Sequence, residues 1–272
     1  LHPYWAVYRR SRIILRFDSA AAAGTLPYSR TLRKSANELL AINGGTVMLV
    51  RNWMSKNVIT VDADDSMHAA MKLMKENDIR MLPVMRKGKL VGIVTDRDLK
   101  RASASDATTL DVHELLYLVS QIKVKNIMTA NPITVPQNYT VEETAEVLLK
   151  NKISGVPVVD QNGEIAGLIT QTDLFRLLIS LTGVGSRGIQ FAFQLEDRPG
   201  SIKEVADVIR KYGGRMVSIL TTYETAQQGY RKVYIRMHGV ERPKLQQLKE
   251  ELSRIAALIY MVDHRENIRE IY

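Results

Sequence analysis

Gly92-Ile93-Val94-Thr95-Asp96-Arg97-Asp98-Leu99 and Gly167-Leu168-Ile169-Thr170-Gln171-Thr172-Asp173-Leu174 are one pattern written twice, 75 residues apart. In each, an apolar β-type run ends at Thr, and an acid follows three residues later at the start of a helical pattern. That is a strand running straight into a helix, with Gly, Thr and Asp at the junction.

Working outward, the repetition widens. Val50-Arg51-Asn52-Trp53-Met54 recurs as Val124-Lys125-Asn126-Ile127-Met128, Ile59-Thr60-Val61 as Ile133-Thr134-Val135, and Pro83-Val84 as Pro157-Val158, all at an offset of 74. One inserted residue then moves the offset to 75. About fifteen identities in roughly fifty aligned positions indicate duplication. Each copy reads β-α-β-β-α. The spacing predicts strands over Val58 to Val61 and Ile133 to Val135, and helices carrying Met67, Ala70, Met71 and Met74 in one copy and Val141, Ala145 and Leu148 in the other. Thr140 and Glu143 have the spacing of a capping box. Two short strands follow (Met81 to Met85 and Leu90 to Val94; Val156 to Val159 and Ile165 to Ile169), and the closing helices start near Asp98 and Asp173. Between the copies, Asp111 is placed to cap a short helix through Leu118.

The chain has 272 residues, 45% hydrophobic and 25% charged, enough for about two domains with cores of their own. It has no Cys, which excludes a disulfide scaffold, a thiolate zinc site, a Cys nucleophile and a dithiol redox centre. No apolar run reaches the ~18 residues of a membrane helix, so the expected location is cytoplasmic. The net charge is +9, but residues 1–47 hold seven Lys/Arg against two acids, so the body is only mildly basic. That leader starts with Leu and lacks periodicity. Gly44-Gly45 must be encoded GGN-GGN, two codons ahead of Met48, as a ribosome-binding site translated in frame would be. The expectation is therefore a non-native or disordered leader with the native start at Met48; a basic tail and a transit peptide are the other readings.

The repeated junction has a definite chemistry. The N-terminus of a helix offers free N–H groups and partial positive charge to a phosphate. The Thr hydroxyl can add a donor, and an ionised Asp can accept two hydrogen bonds from a ribose diol. Gly lets backbone approach a ligand closely. These residues leave two readings open: a nucleoside-phosphate site, or Thr and Asp that merely cap the helix.

With Ile79-Arg80-Met81-Leu82-Pro83-Val84 and Ile153-Ser154-Gly155-Val156-Pro157-Val158 ahead of the two junctions, the chain resembles tandem CBS domains, a Bateman module, over about residues 48–180. The resemblance implies two clefts for adenosine-type ligands: AMP, ADP, ATP or S-adenosylmethionine. It implies that Thr170, Thr172 and Asp173 hold ribose and phosphate, with Thr134, Ser154, Gly155, Val156 and Pro157 around the base. In the other cleft the matching residues are Thr95, Arg97 and Asp98, with Thr60, Arg80, Met81, Leu82 and Pro83. Arg97 departs from the pattern: its charge either favours more phosphates or fills the cleft.

Gly183-Val184-Gly185-Ser186-Arg187-Gly188 spells a dinucleotide fingerprint in the wrong context, after a helix and before a strand, and reads as a linker. Beyond it, a strand through Ile189, Phe191, Phe193 and Leu195 leads into Asp197-Arg198-Pro199-Gly200-Ser201-Ile202. A helix with Ile202, Val205, Ala206 and Ile209 on one face follows. Strands over Met216 to Leu220 and Tyr230 to Met237, a helix over Pro243 to Ile255 and a strand over Leu258 to Val262 complete a βαββαβ order. This resembles an ACT domain, which implies side-by-side dimerisation and amino-acid binding near the Asp-Arg-Pro-Gly turn: Asp197 toward an ammonium, and N–H groups around Gly200, Ser201 and Ile202 toward a carboxylate. The turn residues also suffice simply to open the helix. A CBS pair followed by an ACT unit is similar to the AcuB-type acetoin-utilisation proteins.

The expected fold class is thus α+β: two βαββα CBS units packed as a Bateman module (48–182, with copies 48–102 and 122–180), a linker at 183–187, and a βαββαβ ferredoxin-like ACT domain at 188–272. No cofactor and no catalysis are expected. The five His are scattered without metal spacing, no Walker loop or nucleophile elbow appears, and Asp62, Asp64 and Asp65 read as a capped helix start rather than a calcium loop. The expected function is a regulatory sensor, a homodimer by resemblance, acting on a regulated protein that the sequence does not name. A constitutive scaffold with degenerate clefts and a nucleic-acid-binding regulator are the alternatives.

Overall fold

The structure is a computed structural model that describes residues 13–15, 48–105 and 121–272; the side chains of 13–15 and 103–105 lie outside the description. The helix expected at Asp111 to Leu118 falls outside the described residues. The chain divides into two compact units: residues 42–177, and residues 1–41 with 178–272. Strand β1 (Ile13–Leu15) belongs to the second of these.

In the first unit, β2 (Val61–Asp62) leads through helix α1 (Met67–Glu76) to the hairpin β3 (Met81–Arg86) and β4 (Lys89–Thr95), and helix α2 (Asp96–Ser105) follows without a break. After α3 (Val124–Ile127) and β5 (Thr129–Ala130), the second copy repeats the order: β6 (Val135–Pro136), α4 (Val141–Asn151), β7 (Gly155–Val159), β8 (Ile165–Thr170) and α5 (Gln171–Thr182). The strands expected over Val58 to Val61 and Ile133 to Val135 shrink to two residues each, because only Val61 and Val135 with their successors pair, in parallel, with β3 and β7. The extra residue of the second copy sits in its hairpin. Lys87-Gly88, both at positive φ, closes β3–β4 in two residues, whereas five residues separate β7 from β8, with Asp160 N bonded to Glu164 O across the loop Gln161-Asn162-Gly163.

Helix starts follow local chemistry. Thr140 and Glu143 form the expected capping box. At α1 the cap is Ser66, whose Oγ accepts the Ala69 N–H at 3.1 Å. The preceding acids instead turn the chain: Asp62 Oδ1 accepts from Asp64 N and Asp65 Oδ2 from Asp62 N. Lys125 donates to Asp64 at 2.6 Å and pulls that carboxyl below its ordinary range. Of the expected helix faces, Met67, Ala70 and Met74 are buried, but Met71 is 42% exposed, and in α4 the buried positions are Val141, Thr144 and Leu148 with Ala145 only half-buried. The spacing i, i+3, i+7 is narrower than the face read from the sequence.

Each copy's opening segment packs into the other copy's core. Val50, with Met48, Trp53 and Met54, joins Val135, Val141, Leu148, Val156, Val158, Ile169 and Leu177. Val124, with Ile122, Ile127 and Met128, joins Val61, Met67, Ala70, Leu82, Val84, Val94 and Leu99. Backbone bonds hold the exchange symmetrically: Val50 N to Tyr139 O and Ser55 N to Leu168 O on one side, Val124 N to Asp65 O and Met67 N to Ile122 O on the other.

The second unit is one antiparallel sheet, order β1-β13-β12-β9-β11-β10. Its elements run β9 (Ile189–Glu196), α6 (Ser201–Lys211), β10 (Arg215–Thr222), β11 (Tyr230–His238), α7 (Leu245–Ile255), β12 (Ala257–Asp263) and β13 (Ile268–Ile271). With β9 and β11 central and the two βαβ crossovers interleaved, this is a split-βαβ sheet. Helix α7 starts two residues later than expected, behind a 3-10 turn over Arg242–Lys244, and β13 extends the sheet beyond the expected last strand. The inner face of β9 and β11 (Phe191, Phe193, Val233, Ile235) packs on Val205 and Ile209 of α6 and Leu248 and Leu252 of α7. The Gly-rich 183–188 stretch lies between α5 and β9, as a linker would.

Candidate functional site

The two Gly-x-x-Thr-x-x-Asp junctions are built alike. β4 delivers Thr95 to the first turn of α2, and β8 delivers Thr170 to the first turn of α5. Asp98 Oδ2 accepts from Thr95 N at 3.0 Å and Thr95 Oγ1 at 2.6 Å, and Asp173 Oδ2 accepts from Thr170 N at 2.9 Å and Thr170 Oγ1 at 2.7 Å. In the first turn Asp96 N donates to Arg80 O at 3.0 Å, and Gln171 N to Ser154 O at 2.9 Å. These matched bonds bring Arg80 and Met81 beside Thr95, and Ser154 and Gly155 beside Thr170, with Met81 opposite Thr95 and Gly155 opposite Thr170 in register.

The geometry corrects two parts of the chemistry expected from the sequence. The Thr hydroxyls donate to the Asp carboxylates and are not free donors for a phosphate. In the same first turn the copies differ at two matching positions, Asp96 against Gln171 and Arg97 against Thr172, and the N–H groups of Arg97 and Thr172 are left over as donors. The glycines, in turn, make room for protein. A Cβ on Gly92 would meet Met128 Sδ at 2.4 Å, and one on Gly167 would meet Met54 Sδ at 2.4 Å.

Leu82, Pro83, Val156 and Pro157 are buried in the sheets, whereas Arg80, Arg97, Thr134, Ser154 and Thr172 are exposed and Thr60 is half-buried. The copies meet where a Cβ on Gly155 would lie 3.2 Å from Met81 Sδ, so Met81 and Gly155 belong to one region. Sequence reasoning missed Arg176, whose guanidinium donates to Asp173 Oδ1 at 3.2 Å. The signal was present: Arg101 stands at the matching position of the first copy.

In the second unit, the Asp197–Ile202 turn also brings in a residue that the sequence did not single out. Arg231 of β11 donates to Ser201 Oγ at 3.2 Å, and its Nε lies 3.7 Å from Asp197 Oδ1. Asp197 therefore has its own counter-ion, and Tyr223 OH donates to it at 3.4 Å. Gly200 sits at φ +89 and Ser201 is buried at the head of α6, with Ile202 half-buried. Arg198 is bound by both oxygens of Glu204 at 2.7 Å and by Glu196, which raises its pKa and lowers that of Glu204. Nothing in the local sequence signals Arg231, thirty residues from the turn it serves. Among the described residues no group of three His, Asp or Glu is arranged to hold a metal, and no helix is long and apolar enough to cross a membrane.

Paired βαββα copies with exchanged opening segments and matched Thr-x-x-Asp turns define a duplicated two-copy module. The family model described as "CBS domain" matches residues 50–105 and 124–180. The chain is 36% identical over 135 residues to a CBS domain-containing protein of Dictyostelium discoideum, covering 49% of this chain and 93% of that protein. It belongs to the CBS-domain proteins. Inosine-5'-monophosphate dehydrogenase of Korarchaeum cryptofilum is 37% identical over 129 residues, but these are 47% of this chain and only 24% of the enzyme. The crystallised CBS domain pair of protein MJ0100, in complex with 5'-methylthioadenosine and S-adenosyl-L-methionine, is 33% identical over 49% of this chain and 97% of that one, with a TM-score of 0.42.

Proposed function

We propose that the chain is a non-catalytic regulatory sensor that takes adenosine-type ligands, AMP, ADP, ATP or S-adenosylmethionine, at its two CBS junctions. The observation that carries this is the pair of register-matched turns, each placing an Asp, a helix N-terminus and a variable exposed residue (Arg97 or Thr172) at one strand end. The proposed contacts are Thr60, Arg80 to Pro83, Thr95, Arg97 and Asp98 in the first site, and Thr134, Ser154 to Pro157, Thr170, Thr172 and Asp173 in the second. The CBS pair related to this one by 33% sequence identity carries ligands of this class. A regulatory output requires that the ligand bind two arrangements of the chain with different affinities.

In this reading residues 48–182 are the CBS pair, 183–187 the linker and 188–272 an ACT domain that makes the protein a homodimer. The split-βαβ topology supports the ACT assignment. So does β10, an edge strand with exposed Val217, Ile219 and Leu220, the kind of edge a second copy would cover. An amino-acid effector would sit at Asp197, Gly200, Ser201 and Ile202, displacing Arg231 from Asp197. In the same reading the protein is of the AcuB type and acts in the cytoplasm on a further protein.

One observation favours a second reading, a constitutive scaffold: both carboxylate oxygens of Asp173 are already bound. Calorimetric titration of the full chain with AMP, ADP, ATP and S-adenosylmethionine decides between them. Saturable heat that falls in Asp98→Ala or Asp173→Ala supports the sensor, and no heat from any ligand supports the scaffold.

A further inference from the structure

The two junctions have the same frame and different charge. At the first, Arg80 and Arg97 are exposed on either side of the helix start, Arg80 through its carbonyl bond to Asp96 N and Arg97 as the next residue of α2. At the second, the same frame positions hold Ser154 and Thr172, both exposed and uncharged. The carboxylates differ as well. Asp98 is half-buried, and its Oδ2 takes both the Thr95 N–H and the Thr95 hydroxyl. Asp173 is only 7% exposed and its Oδ1 is held by Arg176. A ligand at the second junction therefore lies beside Ser154, Gln171 and Thr172, all uncharged, and a ligand at the first lies beside Arg80 and Arg97, with the Asp96 carboxylate between them already paired with Lys100 at 3.3 Å.

We infer that the two junctions are specialised by ligand charge: the first takes a nucleoside di- or triphosphate, and the second takes an adenosine-type ligand with at most one phosphate. This rests on the sensor reading above. Guanidinium groups bind phosphate oxygens in pairs through charge-assisted bonds, and each added phosphate adds acceptors that only the first junction can match. The Asp98 carboxylate accepts from the ribose and sets the nucleoside end, so that Arg97 and Arg80 read the phosphate end. At the second junction the matching frame positions, Ser154 and Thr172, offer an added phosphate no guanidinium.

The test is calorimetric titration of the full chain with adenosine, AMP and ATP, on the natural sequence and on Arg97→Thr, Arg80→Ser, Thr172→Arg and Asp173→Ala. Arg97, Arg80 and Thr172 are exposed, so their variants keep the fold, and circular dichroism checks that each does. The expected result is that Arg97→Thr weakens ATP about tenfold or more while leaving adenosine unchanged, the loss of one charge-assisted contact. Thr172→Arg is expected to add ATP affinity at the second site, and Asp173→Ala to leave ATP binding in place. ATP affinity unchanged in both arginine variants, or ATP binding lost in Asp173→Ala and kept in Arg97→Thr, overturns the charge assignment while the sensor reading stands. No heat from any of the three ligands on the natural sequence overturns the sensor reading and the assignment together.

Discussion

Met128 fills the space that a side chain on Gly92 would need: a Cβ there would stand 2.4 Å from Met128 Sδ and 3.1 Å from Thr129 O. Met54 and Gly167 repeat the relationship in the other copy, with Ser55 O at 3.0 Å. The sulfur can swing away, but the carbonyl belongs to a segment fixed by sheet pairing, Gly92 to Ala130 in one copy and the Ser55–Leu168 bridge in the other. The exchange of opening segments thus depends on two residues that lack a Cβ.

Gly92→Ala is therefore expected to destabilise the chain by about 1–3 kcal/mol through overpacking. Adding Met128→Ala should recover part of that loss, because the methionine is the softer half of the clash. Urea denaturation of the four members of this cycle measures it; additive losses would show that the two residues do not share the niche.

Asp173→Ala removes the acceptor of Thr170 N–H, the Thr170 hydroxyl and Arg176 at a buried position. A loss of about 1–3 kcal/mol is expected, the cost of buried donors left unpaired. Asp98→Ala should cost less, since Asp98 is only half-buried. Chemical denaturation of both variants checks the order, which fails if Asp98→Ala proves the more damaging.

Arg236 is 5% exposed, donates through Nε to Thr182 O at 2.7 Å and through a second nitrogen to Gln190 Oε1 at 2.6 Å. Burial lowers its pKa. It covers a carbonyl in the last turn of α5, where a cation also meets the negative end of the helix dipole. Arg236→Ala is expected to cost about 1–3 kcal/mol, and Arg236→Lys to recover only part, because one ammonium cannot reproduce the guanidinium fork. Equal stability of the Lys variant and the natural chain in thermal denaturation would contradict this.

Burial, and then the charges of Arg236 and Arg269, hold the His264 imidazole below its ordinary pKa of 6.5. Its folded pKa is depressed, so below pH 6.5 the unfolded chain takes up a proton that the folded chain refuses. Stability should fall as pH drops through that value and level off only below the folded pKa. His264→Gln should remove this part of the slope, read as Tm between about pH 7.5 and pH 5.5.

Much of this molecule is legible in the chain itself. The repeat at offsets 74 and 75 announces two copies, and the hydrophobic spacing places their helices to within a residue or two. The capping box at Thr140 follows from local rules. It is an interaction among near neighbours, which sequence spacing reports directly. Local rules fail where distant segments set the outcome. Met71 has the spacing of a core residue and lies exposed, because the neighbouring elements cover a narrower stripe of α1 than the pattern suggests.

The sequence by itself determined the duplication, the strand-to-helix junctions and the α+β order of the C-terminal half, since each depends on periodicity and on residues within a few positions of one another. Only the tertiary structure decided that Gly92 and Gly167 serve Met128 and Met54, that Arg231 reaches Asp197 and Ser201 across thirty residues, and that Arg176 completes Asp173. The reason is physical: an exchanged segment satisfies its hydrogen bonds and buries its apolar side chains in a partner copy, and no pattern along one copy records which surface it will meet.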